Sequence, residues 1–431
     1  MNTNSDVIAR SSANAPDAHT RFTRFLRRRF LASLDGLREC ELTIHDDGET
    51  FKRGTSVAGT EPLRADIHVV SAEFYRRLAM NGSVGVAEAW MDELWRCDDL
   101  TALVRIFVRN RALLDTLETG AARIGGWLMQ FLHLFRRNTR VGSRKNIAEH
   151  YDLGNDLFRL FLDQNLMYSS AIFVDPHESL EVAATRKLDR ICQKLDLQPN
   201  DHVVEIGTGW GGFALHAAKN YGCRITTTTI SREQYALASQ RIADAGLSDR
   251  VTVLLSDYRD LDGHYDKLVS IEMIEAIGHQ YLDTYFAKCA SLLKADGLAL
   301  IQAITIEDHR YQQALKSVDF IKRYIFPGSF IPSVSAMLGA AGRVSDLKLT
   351  QLEDIGPSYA VTLHVWHERF IEKLGAVREL GYSDRFIRMW RWYLAYCEGG
   401  FIERAIGDVQ MLFAKPGARR AQYLPDLKPT L

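Results

Sequence analysis

The sequence predicts an α/β protein: a mainly parallel, doubly covered sheet with an inserted lid, preceded by a smaller, mostly helical N-terminal domain. Three observations predict it. After residue 195, segments rich in β-branched and apolar residues alternate with helix-compatible ones, the pattern of strands buried on both faces between crossover helices. One such strand runs into a glycine-rich turn, Val203-Val-Glu-Ile-Gly-Thr-Gly-Trp-Gly-Gly212, and then into the helical stretch FALHAAKN. From Ser71 up to the basic segment near residue 140, by contrast, the periodicity is helical.

The elements follow in order. Residues 1–20, rich in Ser, Asn and Ala, read as a flexible tail. Residues 21–31 (RFTRFLRRRFL) form an amphipathic helix in which five arginines flank Phe22, Phe25, Leu26 and Phe30. Residues 36–70 read as short extended pieces with polar turns. The helical pattern after Ser71 is interrupted by Asn81-Gly82-Ser83 and by Asp98-Asp99. In residues 121–145 an apolar block from Trp127 to Phe135 runs into Arg136, Arg137, Arg140, Arg144 and Lys145. That segment is either a helix packed on its own domain or an interfacial anchor whose aromatics enter a lipid surface while its arginines meet anionic headgroups. Gly142-Ser143 mark the boundary, giving 21–140 as a lipid-contacting domain and 141–431 as the catalytic one. Strands are expected at 203–206, 223–229, 251–256, 267–272 and 298–305, with 408–414 as a final edge strand. Residues 306–345 are too long for an ordinary crossover and read as the lid.

Composition narrows the function. Lys plus Arg number 53 and Asp plus Glu 54, so a wholesale polyanion binder is excluded and no nucleic-acid partner is expected. The six cysteines are widely spaced, with no CxxC and no metal-ligand spacing; they read as free thiols in a reducing cytoplasm. No apolar run approaches the length of a spanning helix, and the polar N-terminus does not read as a signal peptide.

Gly207, Gly209 and Gly212 formally satisfy GxGxxG, which keeps a nicotinamide-binding turn in view. Three details favour S-adenosylmethionine. Glu205 precedes the first glycine by two positions, giving ExGxG; residues 226–229 are all Thr, with no acid to bind a ribose; and Ser256-Asp257-Tyr258 closes the third strand. Glycines at 207 and 209 let the backbone approach a ligand closely, and a sulfonium cation prefers carboxylate and oxygen dipoles. The arrangement resembles the Rossmann-like sheet of class I S-adenosylmethionine methyltransferases.

Longer strings carry a family resemblance: 150–173 (HYDLGNDLFRLFLDQNLMYSSAIF), 203–212, 229–234 (TISREQ), 257–259 (DYR), 269–278 (VSIEMIEAIG), 319–328 (DFIKRYIFPG) with Pro332, 359–370 (YAVTLHVWHERF) and 390–401 (WRWYLAYCEGGF), with 81–95 more weakly. In this order they resemble the cyclopropane-fatty-acyl-phospholipid synthases and mycolic acid cyclopropane synthases. The resemblance implies that Tyr168, Ser169, Gly207, Gly209, Thr229 and Gln234 face S-adenosylmethionine, with Asp257 and Tyr258 near the adenine. It further implies a bicarbonate ion held by Ser170, Glu275, Gln302, Ile304 and Tyr359. Two positions depart from the family's pattern, since Ser170 stands where Cys is usual and Gln302 where His is usual.

The implied reaction transfers a one-carbon unit to a cis double bond in a phospholipid acyl chain, and the carbocation closes to a cyclopropane after losing a proton to bicarbonate. The two departures leave a methyl- or methylene-branched product open. Tyr324, Phe326, Trp366 and Tyr393 are expected either along an acyl tunnel or in ordinary core packing. His150 is expected either in a structural hydrogen bond or in catalysis; Glu272 stands at a strand end, where it either serves the site or caps a turn; Cys397 reads as a buried small hydrophobe. The protein is expected in the cytoplasm, peripheral to the inner face of the membrane, and the resemblance implies a homodimer.

Overall fold

The computed structural model describes residues 20–56, 59, 61–115 and 154–419. The segment 121–145, His150 and the boundary at Gly142-Ser143 lie outside the described residues.

The N-terminal portion opens with a helix, Arg21–Ser33, capped by the Thr20 hydroxyl, which accepts from the Thr23 amide. The extended pieces that follow join in a four-stranded sheet of order β2-β1-β3-β4: β1 Cys40–Asp46, β2 Glu49–Arg53, β3 Leu63–Val69 and β4 Trp95–Cys97. β1 pairs antiparallel with β2 but parallel with β3. The helix Glu73–Met91 kinks at Gly82 (φ 55°), where the sequence shows its Asn-Gly-Ser break. Asp99 caps the next helix, Leu100–Arg109, by accepting from the Ala102 amide at 2.8 Å. That helix packs on Asp384–Ile402: a Cβ at Gly399 would lie 2.7 Å from Val104 Cγ1, so the two helices approach at a point only glycine allows. One apolar core therefore runs from Leu31, Trp90 and Trp95 through Phe158 and Phe161 to Trp390 and Phe401.

The larger sheet has seven strands in the order β10-β11-β9-β8-β5-β6-β7. They are β5 His202–Ile206, β6 Arg224–Thr229, β7 Val251–Leu255, β8 Tyr265–Ile271, β9 Leu293–Ile306, β10 Lys348–Asp354 and β11 Ile406–Ala414. β9 to β7 are parallel, and β11 runs antiparallel between β9 and β10. The last strand is thus interior rather than an edge. Residues 408–413 are all buried, as an inner strand requires, while β10 alternates exposed and half-buried positions as the true edge. The strand order reverses between β5 and β8, which opens a crevice at their carboxyl ends.

Residues 307–331, from the end of β9 toward the helix Val334–Val344, include a turn of π-helix at Ile321–Ile325. This segment walls one side of the crevice. Among the described residues no helix is long and apolar enough to cross a membrane.

Candidate active site

The crevice is continuous with a cavity of about 1590 Å³, bounded by the carboxyl ends of β5 to β9 on one side and by Phe25, Leu26 and Phe30 of the N-terminal helix on the other. Strand ends bring the residues singled out in the sequence to this space. β5 delivers Glu205 and the glycine turn, β6 delivers Thr229, the loop after β7 delivers Asp257 and Tyr258, β8 leads to Glu272 and Glu275, and β9 delivers Ile304.

The glycine turn is held by its own backbone. The amides of Gly207 and Thr208 both donate to the Thr228 carbonyl, at 3.1 and 3.0 Å. Gly207, Gly209 and Gly211 take positive φ values of 103°, 52° and 85°. A Cβ at Gly209 would meet nothing within 4 Å, so this edge of the turn faces open space. At Gly212 it would lie 2.5 Å from Met167 Sδ and 2.6 Å from the Asn165 carbonyl, so that glycine serves close packing. Arg241 donates to the Trp210 carbonyl at 2.6 Å, and the Trp210 indole to Asn155 at 2.7 Å, fixing the far side of the turn.

Around it, Thr229 donates to the Gln234 side chain at 2.8 Å. Asp257 is engaged in two bonds with the Arg259 guanidinium, at 2.8 and 2.6 Å. Tyr168 and Tyr393 join through their hydroxyls at 2.9 Å, and Ser169 accepts from Lys187 Nζ at 2.6 Å. Oε2 of Glu205 and the hydroxyl of Tyr258 are buried without a hydrogen-bond partner among the described residues, and both groups line the cavity. Burial pushes the Glu205 carboxyl up to about 8. Unpartnered buried polar groups, an open glycine edge and a buried carboxyl wall fit a polar, cationic ligand.

A second cluster lies beside it. Glu272, with φ 47°, follows β8 in the left-handed region. Its Oε1 accepts from the Ser170 amide at 2.8 Å and from Gln302 Nε2 at 2.9 Å, and its Oε2 accepts from the Tyr359 hydroxyl at 2.7 Å. Sheet register sets this up: Gln302 lies opposite Ile271 on β8 and Gln410 on β11. Gln302 also donates to Asp408 at 3.0 Å and accepts from Gln410 at 3.0 Å, which in turn accepts from Lys194 at 2.7 Å. Glu275 accepts from the Ile304 amide at 2.6 Å, and its Oε2 is buried with no partner among the described residues. Burial and the neighbouring Glu272 push Glu275 up to about 8. Burial raises both Glu272 and Asp408, whose Oδ1 is buried with no hydrogen-bond partner among the described residues; burial lowers Lys187.

The five residues expected around a bicarbonate ion are thus near one another, but their donors are committed differently. Ser170, Gln302 and Tyr359 all serve Glu272, and Ile304 serves Glu275. Ser170 and Gln302 stand behind the cavity wall rather than on it. Three donors meet a carboxylate of the chain itself, so a further anion there would face Glu272 and Glu275 with its expected donors engaged. The group does not fit.

Of the four expected tunnel aromatics, Phe326 and Tyr393 line the cavity. Trp366 is fully buried against Tyr168 and Tyr359, and Tyr324 donates to Glu88 at 2.6 Å. Cys397 also lines the cavity, its thiol raised by burial. Sequence reasoning missed Lys187 and Asp408. Lys187 was findable: Ala183, Ala184, Leu188 and Ile191 place it on the buried stripe of its helix. Asp408 was not, because its neighbours come from β11 lying beside β9.

A seven-stranded sheet with one antiparallel strand beside its parallel run, and a glycine turn at the reversal of strand order, defines a Rossmann-like methyltransferase fold that uses S-adenosylmethionine. The model of the family "Mycolic acid cyclopropane synthetase" matches residues 138–411. The chain is 36% identical over 389 residues to the cyclopropane-fatty-acyl-phospholipid synthase of Escherichia coli strain K12, covering 87% of this chain and 96% of the relative. It is 37% identical over 363 residues to the tuberculostearic acid methyltransferase of Mycobacterium tuberculosis, covering 81% and 83%. Among solved structures, a mycolic acid cyclopropane synthase complexed with SAH and CTAB matches with a TM-score of 0.59 at 30% identity, over 63% of this chain and 98% of that one. The chain belongs to the mycolic acid cyclopropane synthetase family and is an S-adenosylmethionine-dependent methyltransferase. The nicotinamide reading of GxGxxG is set aside on these grounds.

Proposed function

We propose that the protein adds a one-carbon unit to the cis double bond of acyl chains in membrane phospholipids and closes a cyclopropane ring. The observation that carries this reading is the single cavity joining the glycine turn and its carboxylates to the apolar residues of the N-terminal helix. Gly207 and Gly209, with Tyr168, Ser169, Glu205, Thr229, Gln234, Asp257 and Tyr258, are the wall proposed to hold the donor. When bound, S-adenosylmethionine supplies an electrophilic methyl group. The remaining work falls to the chain: to exclude water, align the alkene, and offset positive charge with Glu205, Glu272 and Glu275. Phe326, Tyr359 and Tyr393 present aromatic surface to the same space.

Delivery of a phospholipid fits the exposed rim. Phe22 and Phe25 are 60% and 55% exposed on a helix whose Arg21, Arg24 and Arg28 are exposed as well, a pairing suited to peripheral contact with an anionic membrane. A second reading keeps donor and substrate but ends in a methyl- or methylene-branched chain; likeness to a relative named a tuberculostearic acid methyltransferase supports it.

Incubation with isotopically labelled S-adenosylmethionine and vesicles of cis-unsaturated phospholipid tests both. Cyclopropanation gives a mass gain of one CH2 unit with loss of the vinyl proton signals. A labelled product that keeps an alkene signal, at a methylene branch or beside a methyl branch, selects the second reading.

A further inference from the structure

We infer that Glu272 is the proton acceptor of the reaction, its own carboxylate standing where a bound bicarbonate would otherwise be needed. This rests on the proposed attack of an alkene on a methyl donor. The geometry carries it. Glu272 lines the cavity while the Ser170 amide, the Gln302 amide group and the Tyr359 hydroxyl hold both its oxygens, at 2.8, 2.9 and 2.7 Å. Its backbone is kept in the left-handed region at φ 47°, which a non-glycine residue adopts only when its surroundings impose it. The residue is therefore fixed rather than fortuitously near.

The electrostatics agree. Asp408 Oδ2 accepts from the same Gln302 amide group that donates to Glu272, and burial raises both carboxyls. Lys187, wholly buried, adds positive potential nearby. Burial raises the Glu272 carboxyl above its ordinary range and so strengthens its carboxylate as a base, although even a weak base suffices, because a C–H bond beside a carbocation is strongly acidic. The step balances. The C–H electron pair of the transferred methyl closes the third ring bond, the proton passes to the Glu272 carboxylate, and exchange with solvent restores the anion.

One of the two departures from the family pattern acquires a reason. Gln302 carries no titratable proton, but its amide donates to Glu272 and Asp408 and accepts from Gln410. Ser170 contributes its backbone amide, which any residue would supply.

The test needs no variant at its first stage. Turnover of the intact protein on unsaturated phospholipid is measured in carbon dioxide-free buffer and again with added bicarbonate; rates agreeing within about twofold are expected, since the base is built in. In parallel, 13C-labelled bicarbonate should show no protein-dependent broadening in the presence of S-adenosylhomocysteine. Glu272→Ala should lose about 100-fold or more in kcat, hold S-adenosylhomocysteine as tightly as before, and regain turnover with formate or bicarbonate. Dependence of the intact protein on bicarbonate, specific bicarbonate binding to it, or full turnover by the variant overturns the inference. Absence of any product from unsaturated phospholipid in every buffer refutes instead the function on which it rests.

Discussion

The Tyr359 hydroxyl donates to Glu272 Oε2 at 2.7 Å, bringing the second turn of the helix Gly356–Glu372 to the residue that follows β8. Tyr359 is also stacked on Phe401 at 4.4 Å between ring centroids, so the ring has a place without its hydroxyl. Tyr359→Phe should keep the fold and lower kcat about 10-fold or more, since one oriented hydrogen bond to an ionised group is removed. Thermal melting and S-adenosylhomocysteine affinity should barely move. Unaltered kcat would show that the hydroxyl has no part in the reaction.

Glu205 and Glu275 each carry a carboxyl raised from 4.5 to about 8 by burial. Between those values the folded chain holds protons that the unfolded chain has released. The contribution to stability is complete below about pH 4.5 and is lost as pH rises through about 8. Melting temperature of the ligand-free protein should therefore fall from about pH 6 to about pH 9. The cationic donor favours the ionised carboxyls, so S-adenosylmethionine should flatten that fall and release more protons on binding than neutral S-adenosylhomocysteine. Calorimetry in buffers of different ionisation enthalpy measures the difference; equal release for the two ligands would sink the idea.

The two glycines of the turn should respond differently to alanine. Gly212→Ala puts a methyl against Met167 and the Asn165 carbonyl and should cost about 1–3 kcal/mol of stability in urea unfolding. Gly209→Ala meets open space and costs only the positive-φ strain, about 1–2 kcal/mol. Its larger effect should be on donor affinity, where the methyl occupies the ligand's approach. A Gly209→Ala protein that binds the donor as tightly as before would remove this glycine from the site.

Lys187 is buried among Asp163, Glu205, Glu272 and Asp408, with Ser169 as its hydrogen-bond partner. Lys187→Met preserves most of the volume and leaves those acids without their cation. A loss of about 1–3 kcal/mol is expected from leaving the buried Ser169 hydroxyl without its donor. It should be steepest at high pH, where the carboxyls ionise, and chemical denaturation across pH reads both features.

The rim of the N-terminal helix should govern contact with lipid. Phe22→Ser removes an exposed ring that does not line the cavity and leaves the buried Leu31 untouched. Sedimentation with anionic vesicles should weaken, and binding by the unaltered protein should decline with salt. Turnover on dispersed, short-chain phospholipid should persist. Equal sedimentation of both proteins, insensitive to salt, would contradict a membrane role for this helix.

Local pattern made the sheet and its glycine turn legible. Continuous apolar runs fix which segments are inner strands, and a turn needing positive φ at Gly207 and Gly209 has to be written in glycine. Family strings at 150–173, 269–278 and 359–370 likewise named the residues near the crevice. Tertiary structure alone decided what those residues do to one another. Glu272, Gln302, Tyr359 and Asp408 are distant in sequence and meet only because β11 inserts antiparallel beside β9 and the helix Gly356–Glu372 folds back over the strand ends. A hydrogen bond is fixed by distance and direction, which residue type and spacing do not contain; Glu272 and its donors each stand out in the chain, but their convergence on one carboxylate does not.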